Sequence, residues 1–284
     1  MEHLIAMQNV SKSYGKTIAM ENISLNIPAG KIVGLVGPNG AGKTTMLRAL
    51  TGLISYEGSI SVLGMEPTRE RDALMEQTGV IHDVSVLPPW MKVKQMLQVQ
   101  EKAHPGFRRH ECEAYLEKTN ITLDRKIKHL SKGMKTQLHL SLMLATDSNL
   151  LILDEPTHGL DIIFRKKFYK RVLEDYFDRN KSIIVSTHQI EEVEHILSDV
   201  IFIRDGKILL YDSVENLSER FTQVIVPDTQ VEKVREYKPL YESTHIGKRV
   251  FLLENIDGAT LNQYGEVTTP PLADIFVALM GGDA

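Results

Sequence analysis

The chain has 284 residues, enough for one large domain or two small ones at about 150 residues each. Its 42% hydrophobic and 25% charged residues give the balance of a globular protein, not of a disordered, collagen-like or coiled-coil chain. A net charge of −4 gives no reason to expect a nucleic-acid binder with a broad basic surface, and the lone Cys112 excludes an intrachain disulfide and points to a reducing compartment.

The first residues lack the basic start and apolar core of a signal peptide. The longest apolar stretches, such as Leu150–Leu153 and Ile183–Val185, fall far short of the roughly 20 residues of a membrane span. The expectation is a chain that spans no membrane and meets one only through a partner.

Partial alternation over His3–Val10 and Ile23–Ile27 predicts strands, the second closed by Pro28-Ala29-Gly30. Lys31–Val36 is a short apolar run of the kind that forms a strand buried on both faces. A helical pattern starts at Lys43, carries Met46, Leu47, Ala49 and Leu50, and stops near Gly52. Residues 84–145 read as a mostly helical insertion, with helical stretches at Lys92–Ala103, Arg109–Thr119 and Leu138–Leu144. Within it, Trp90 follows Pro88-Pro89 and suits either an interface or burial among the helices. Leu150–Leu153 and Ser182–Val185 then predict strands separated by a helix near Ile162–Phe177, an alternation that implies a parallel sheet covered by helices. Asp205-Gly206 predicts a hairpin between Ile201–Ile203 and Lys207–Tyr211. Beyond Phe221 the pattern gives two strands, Gln223–Val226 and Arg249–Leu253, and a last helix from Leu272.

Gly37-Pro38-Asn39-Gly40-Ala41-Gly42-Lys43-Thr44 matches the phosphate-binding pattern GxxxxGK[ST] at every fixed position, between a predicted strand and a predicted helix. Glycines let successive N–H groups turn inward around phosphate oxygens, and the helix start adds the positive end of its dipole. Lys43 is expected to reach the β- and γ-phosphates and Thr44 to bind Mg²⁺, with Thr45 adding a hydroxyl. Leu150–Leu153 leads into Asp154-Glu155, two carboxylates at a strand's carboxyl end, where open α/β sheets place their ligands. Asp154 is the candidate for orienting Mg²⁺ and Glu155 the candidate general base for water. Alone, an apolar strand ending in two acids is commonplace; beside a complete phosphate loop it reads as functional.

With these motifs in order, the chain resembles the ATP-binding subunits of ABC transporters over residues 3 to about 215. Leu130-Ser131-Lys132-Gly133-Met134 is similar to the family's LSGGQ signature, which caps the γ-phosphate of ATP bound to the opposite subunit; Ser131 and Gly133 are retained, and Ser131 is by itself also an ordinary cap for a helix that follows. Gly159-Leu160-Asp161 resembles the D-loop, and His188, after Ile183–Thr187, resembles the switch histidine that contacts the γ-phosphate. Tyr14 matches the aromatic residue that stacks on adenine. The chain departs from the pattern at Asp83, which stands where the family has the metal-binding Q-loop glutamine, and at Lys132 and Met134. Such signature variants, and the closing segment Pro271–Met280, resemble the ABC-2-type, bacitracin-exporter group.

The resemblance implies an α/β cassette: a parallel-sheet core with an antiparallel β subdomain and a helical subdomain. Residues 1–220 would form it and 221–284 a small α+β extension. It also implies ATP and Mg²⁺ as cofactors, with Thr44, Asp83 and Asp154 at the metal and Lys43, Glu155 and His188 at the chemistry. Its implied partners are a second copy or a homologous ATPase subunit and an integral-membrane permease, which would hold the chain at the inner face of the cell membrane. Two other readings stay open: a low-turnover regulatory subunit, and a soluble ABC ATPase outside transport. The latter usually carries two cassettes or a long coiled-coil insertion.

Overall fold

The computed structural model describes residues 3–82, 87–177, 181–245 and 247–281. Asp83 lies outside them. In chain order the strands and helices are β1 (Ile5–Tyr14), β2 (Thr17–Ile27), β3 (Ile32–Val36), α1 (Lys43–Leu50), β4 (Glu57–Val62), α2 (Arg71–Glu76), β5 (Thr78–Ile81), α3 (Val93–Ala103), α4 (Arg109–Glu117), α5 (Lys132–Leu144), β6 (Leu150–Asp154) and α6 (Ile162–Asp175). They continue with β7 (Ser182–Thr187), β8 (Asp199–Arg204), β9 (Lys207–Ser213), α7 (Val214–Arg220), β10 (Phe221–Val226), α8 (Val231–Arg235), β11 (Tyr241–His245), β12 (Lys248–Glu254), α9 (Gly258–Leu261), β13 (Glu266–Thr268) and α10 (Leu272–Leu279).

Every residue of β3, β6 and β7 is buried, as their unbroken apolar runs require of strands covered on both faces. They lie inside a six-stranded sheet of order β5-β6-β7-β3-β8-β9, parallel except for β9. Successive residues serve opposite layers. Val33, Leu35, Ile152, Ile184 and Ile201 pack with α1 and the three-stranded antiparallel sheet β2-β1-β4. Ile32, Leu151, Leu153, Ile183, Val185 and Phe202 pack with α6 and α10 on the other face.

The insertion forms its own cluster around Val93, Leu97, Cys112, Leu116, Leu138 and Leu142. Helix α5 fastens it to the sheet, because Leu140 and Leu144 turn the other way, into the main core. This helix begins at Lys132, six residues before the predicted start. Trp90 is 69% exposed, so of its two readings burial is the one excluded within this chain.

The segment after Phe221 folds as a four-stranded sheet of order β11-β12-β10-β13. Its second and fourth strands by sequence (β11 and β13) escaped the sequence reading: Tyr241–His245 is mostly polar and Glu266–Thr268 has three residues. Val224, Val226, Phe251 and Leu253 build a small core there. Helix α10 leaves that sheet and joins the main core, with Leu272 and Ile275 buried and the Phe276 ring tilted against that of Phe202, 5.1 Å between centres. Arg204 Nη1 donates to the Met280 carbonyl at 2.6 Å.

Because α10 completes the core of the sheet, Ile275→Ala is expected to cost about 3 kcal/mol, as cavity formation at a buried Ile does. Urea unfolding should show one transition shifted for both a sheet probe and a tail probe; two separate transitions would contradict a shared core.

Candidate functional site

Strand order decides what meets at the carboxyl end of the sheet. With β7 between β6 and β3, Asp154 lies opposite Ser186 and Val36 opposite Thr187. The three segments that follow, Gly37–Thr44, Glu155 and His188, therefore emerge side by side.

The phosphate loop turns through left-handed backbone at Gly40 (φ 86°) and Gly42 (φ 109°). A Cβ at Gly42 would lie 2.4 Å from the Ala19 carbonyl oxygen, and one at Gly37 would lie 2.3 Å from that of Ile203, so only glycine fits either position. No side chain caps α1 and its first turn holds no acid, which leaves its N–H groups and dipole directed to an anion. Pro38, Asn39, Gly40, Ala41, Gly42, Lys43, Thr44 and Thr45 line a cavity of about 260 Å³ together with Thr17, Ile18, Ala19 and Glu155. Tyr14 does not line it. That residue stands exposed at the end of β1, with Lys12 Nζ 5.4 Å from its ring centre.

Lys43 is only 6% exposed, and its Nζ donates to the Gly37 carbonyl at 2.6 Å and the Pro38 carbonyl at 3.2 Å. It also lies 3.4 Å from Glu155 Oε1. Thr44 Oγ1 donates to Asp154 Oδ1 at 3.3 Å, and Ser186 Oγ donates to that same oxygen at 2.6 Å. A hydroxyl and a carboxylate in contact, with oxygen donors alone, suit Mg²⁺, which takes few protein ligands and keeps most of its waters.

Glu155 has φ 47°, a left-handed conformation that is costly for a residue with a side chain. The neighbouring strand imposes it: the Glu155 N–H donates to the Ser186 carbonyl at 3.2 Å and to Ser186 Oγ at 3.1 Å. The carboxylate is thereby turned so that Oε2 sits 2.9 Å from His188 Nδ1 while Oε1 faces Lys43. Sequence reading missed Ser186, because its role comes from a strand pairing that no local pattern reveals.

Ser131, Gly133 and Asp161 lie apart from this cavity. Ser131 caps α5, accepting from the Met134 N–H at 3.2 Å, and Asp161 caps α6, accepting from the Phe164 N–H at 2.9 Å. The two caps are neighbours. A Cβ at Gly133 would meet the Phe164 ring at 3.7 Å, and Lys132 Nζ covers Gly159 so closely that a Cβ there would lie 2.7 Å from it.

Beside them His82, Lys132, Lys135, His139 and His158 line a smaller cavity. Burial pushes the His139 imidazolium down to about 4, and the neighbouring His82 adds to the shift. His82 is also held below the ordinary histidine range by burial, with Asp154 opposing and Arg48 reinforcing that shift.

Phosphate loop, paired carboxylates and parallel sheet together define a P-loop nucleoside triphosphatase. The ABC transporter family matches residues 20–158. A lantibiotic transport ATP-binding protein of Streptococcus pyogenes is 37% identical over 234 residues, covering 78% of this chain and 98% of that protein. The SkfA peptide export ATP-binding protein SkfE of Bacillus subtilis is 36% identical over 212 residues, covering 72% and 87%. A Nod factor export ATP-binding protein I of Paraburkholderia xenovorans is 31% identical over 300 residues, covering 99% and 98%. This chain belongs to the ABC transporter family, among its ATP-binding subunits. In fold it matches a solved ATP-binding subunit of an ABC transporter with TM-score 0.68 at 24% identity, covering 76% of this chain and 92% of that one. It also matches a dimeric ATP-binding cassette in a post-hydrolysis state bound to ADP and Pi, with TM-score 0.64 at 23% identity, covering 74% and 98%.

Two outcomes are expected from these contacts. Ser186→Ala, at a fully buried position, removes one donor and one acceptor and should cost about 1–3 kcal/mol in urea unfolding. For His139 the folded chain keeps the neutral ring while the unfolded chain binds a proton below its ordinary value of 6.5. Stability is then full above that pH and falls as the pH drops toward 4, by on the order of 2 kcal/mol at pH 5. His139→Gln should narrow the difference in unfolding free energy between pH 7 and pH 5 by a similar amount; an unchanged difference would show that His139 does not carry it.

Proposed function

We propose that the chain binds Mg-ATP in the Gly37–Thr45 cradle and hydrolyses it to drive a separate membrane permease, as the energising subunit of an exporter. The observation that carries this reading is Glu155, held between Lys43 and His188 at the rim of the phosphate cavity. Lys43 and the N–H groups at the start of α1 bind and orient the phosphates. Thr44 and Asp154 hold the metal, which when bound neutralises phosphate charge. Glu155 accepts the proton of the attacking water, and His188 orients the Glu155 carboxylate and the water. Phosphoryl transfer asks mainly for such positioning and charge neutralisation. In the same reading Asp83 supplies a further metal ligand and Tyr14 lies under the adenine.

Ser131, Gly133 and Asp161 sit on the caps of α5 and α6, outside the cavity, and this fits a role toward ATP held by a second copy or a homologous ATPase subunit. Residues 1–220 form the cassette, with 84–145 as its helical subdomain, and residues 221–284 an accessory domain. Among the described residues no helix is long and apolar enough to cross a membrane. The chain then works peripherally at the inner face of the membrane through its permease, with exposed Trp90 on the insertion as a contact. Relatives named for lantibiotic transport, SkfA peptide export and Nod factor export support an exported peptide or other amphipathic compound.

Glu155→Gln is expected to lower kcat by about 10²–10⁴-fold, the usual contribution of general acid–base catalysis, while ATP affinity is preserved. Lys43→Ala should weaken ATP binding in an equilibrium titration. Normal steady-state hydrolysis by Glu155→Gln would overturn the base assignment, and unchanged affinity in Lys43→Ala would overturn the cradle.

A further inference from the structure

The ends of β6 and β7 gather three donors, of which the hydrolysis reading uses Glu155 and His188 and leaves His158 unassigned. Glu155, His158 and His188 each offer one ligand atom, and the three atoms lie within 4.8 Å of one another. Two adjacent strand ends hold them. The His158 N–H donates to the Glu155 carbonyl at 3.1 Å, closing a turn that brings these side chains together, and His188 follows the neighbouring strand β7. The His158 and His188 rings stand 5.7 Å apart between centres, and His188 Nδ1 lies 2.9 Å from Glu155 Oε2.

One carboxylate and two imidazoles form the donor set that Zn²⁺ takes in His₂Glu sites, with ligand bonds near 2.0–2.2 Å and a fourth position open. Zinc at that bond length needs donors roughly 3.3 Å apart, so the widest pair here has to close by at most about 1.5 Å, within reach of side-chain rotation. Mg²⁺ prefers oxygen donors and does not compete for this set. The entrance is open, since His158 is exposed and His188 partly so. Lys43 takes the Oε1 side of the carboxylate, so a cation is received at Oε2, toward His188. Cys112 is fully buried and offers no competing thiolate.

We propose that Glu155, His158 and His188 form an inhibitory site for a borderline divalent cation of the Zn²⁺ class. Such an ion occupies the carboxylate and the imidazole that hydrolysis needs. Its binding is independent of the ATPase reading above, whereas its inhibition rests on that reading.

The test uses the full chain. Zinc chloride is titrated against a chromophoric chelator, cobalt chloride is added for the visible absorption of a tetrahedral site, and ATP turnover is measured at saturating Mg²⁺ with and without zinc. One equivalent of zinc should bind, and His158→Ala should weaken that binding about tenfold or more, as loss of a ligand requires. Zinc inhibition, scaled to each chain's own uninhibited turnover, should weaken by the same factor. Equal zinc affinity in His158→Ala and the parent chain, or no bound equivalent in the parent, would overturn the site. Zinc binding that depends on His158 in a chain with no turnover would support the site and overturn only the ATPase reading.

Discussion

The pairing of Asp154 with Ser186 across β6 and β7 sets the geometry on which the site depends. From one serine side chain come a donor to the Asp154 carboxylate and an acceptor for the Glu155 N–H. The second contact holds Glu155 in a left-handed turn that a residue with a Cβ adopts only when its surroundings over-determine it. Release of that turn would swing the carboxylate away from both Lys43 and His188. A slip of one residue in the register would be worse, since it would exchange the two faces of β6 and drive its core residues into the wrong layers. The apolar alternation that fills the two cores is therefore also what fixes the chemistry.

Much of this was legible because the motifs are local. A glycine-rich loop between an apolar strand and a helix is a feature of consecutive residues, and the structure brings Gly37–Thr45, Glu155 and His188 together at one end of the sheet. Apolar runs at Lys31–Val36, Leu150–Leu153 and Ser182–Val185 reported buried strands for the same reason. What escaped is set by pairing between distant residues. Ser186 and His158 carry no mark in their own neighbourhoods; they matter through what β6 and β7 place beside them. Strand β11 was hidden because Tyr241–His245 lies at the sheet's edge and offers only Tyr241 to the core, with no apolar alternation behind it. Periodicity alone placed the start of α5 late, because its first turn, Lys132-Gly133-Met134-Lys135, is mostly polar; the capping serine Ser131 is what marked the true start in the sequence.

Arg165 joins the loop after Glu155 to the segment after His188, beside the Thr157 hydroxyl, which donates to Glu192 at 3.4 Å. Arg165, on the first turns of α6, donates through Nε to the Leu160 carbonyl at 2.7 Å and through Nη1 to Gln189 at 2.8 Å, and it pairs with Glu192. A guanidinium suits this task because its planar fork offers several donors in fixed directions at once. Movement of Leu160-Asp161 is thereby tied to movement of the backbone that carries His188. Lysine in the same place would hold one of these partners and release the others.

A second tie reaches that segment from the far end of the chain. The Leu272 N–H, at the start of α10, donates to Glu194 Oε1 at 2.8 Å, and Ile190, Val193 and Ile196 share a core with Ile275. The residues following His188 thus make short single turns instead of a long helix, and they draw much of their order from α6 on one side and α10 on the other. Short turns of this kind have little stability of their own, so packing must supply it. The position of the histidine is then a property of the whole core, tail included. A change at Ile275 or Leu272 would be felt at His188 without touching it, through loss of the surface on which residues 190–196 rest.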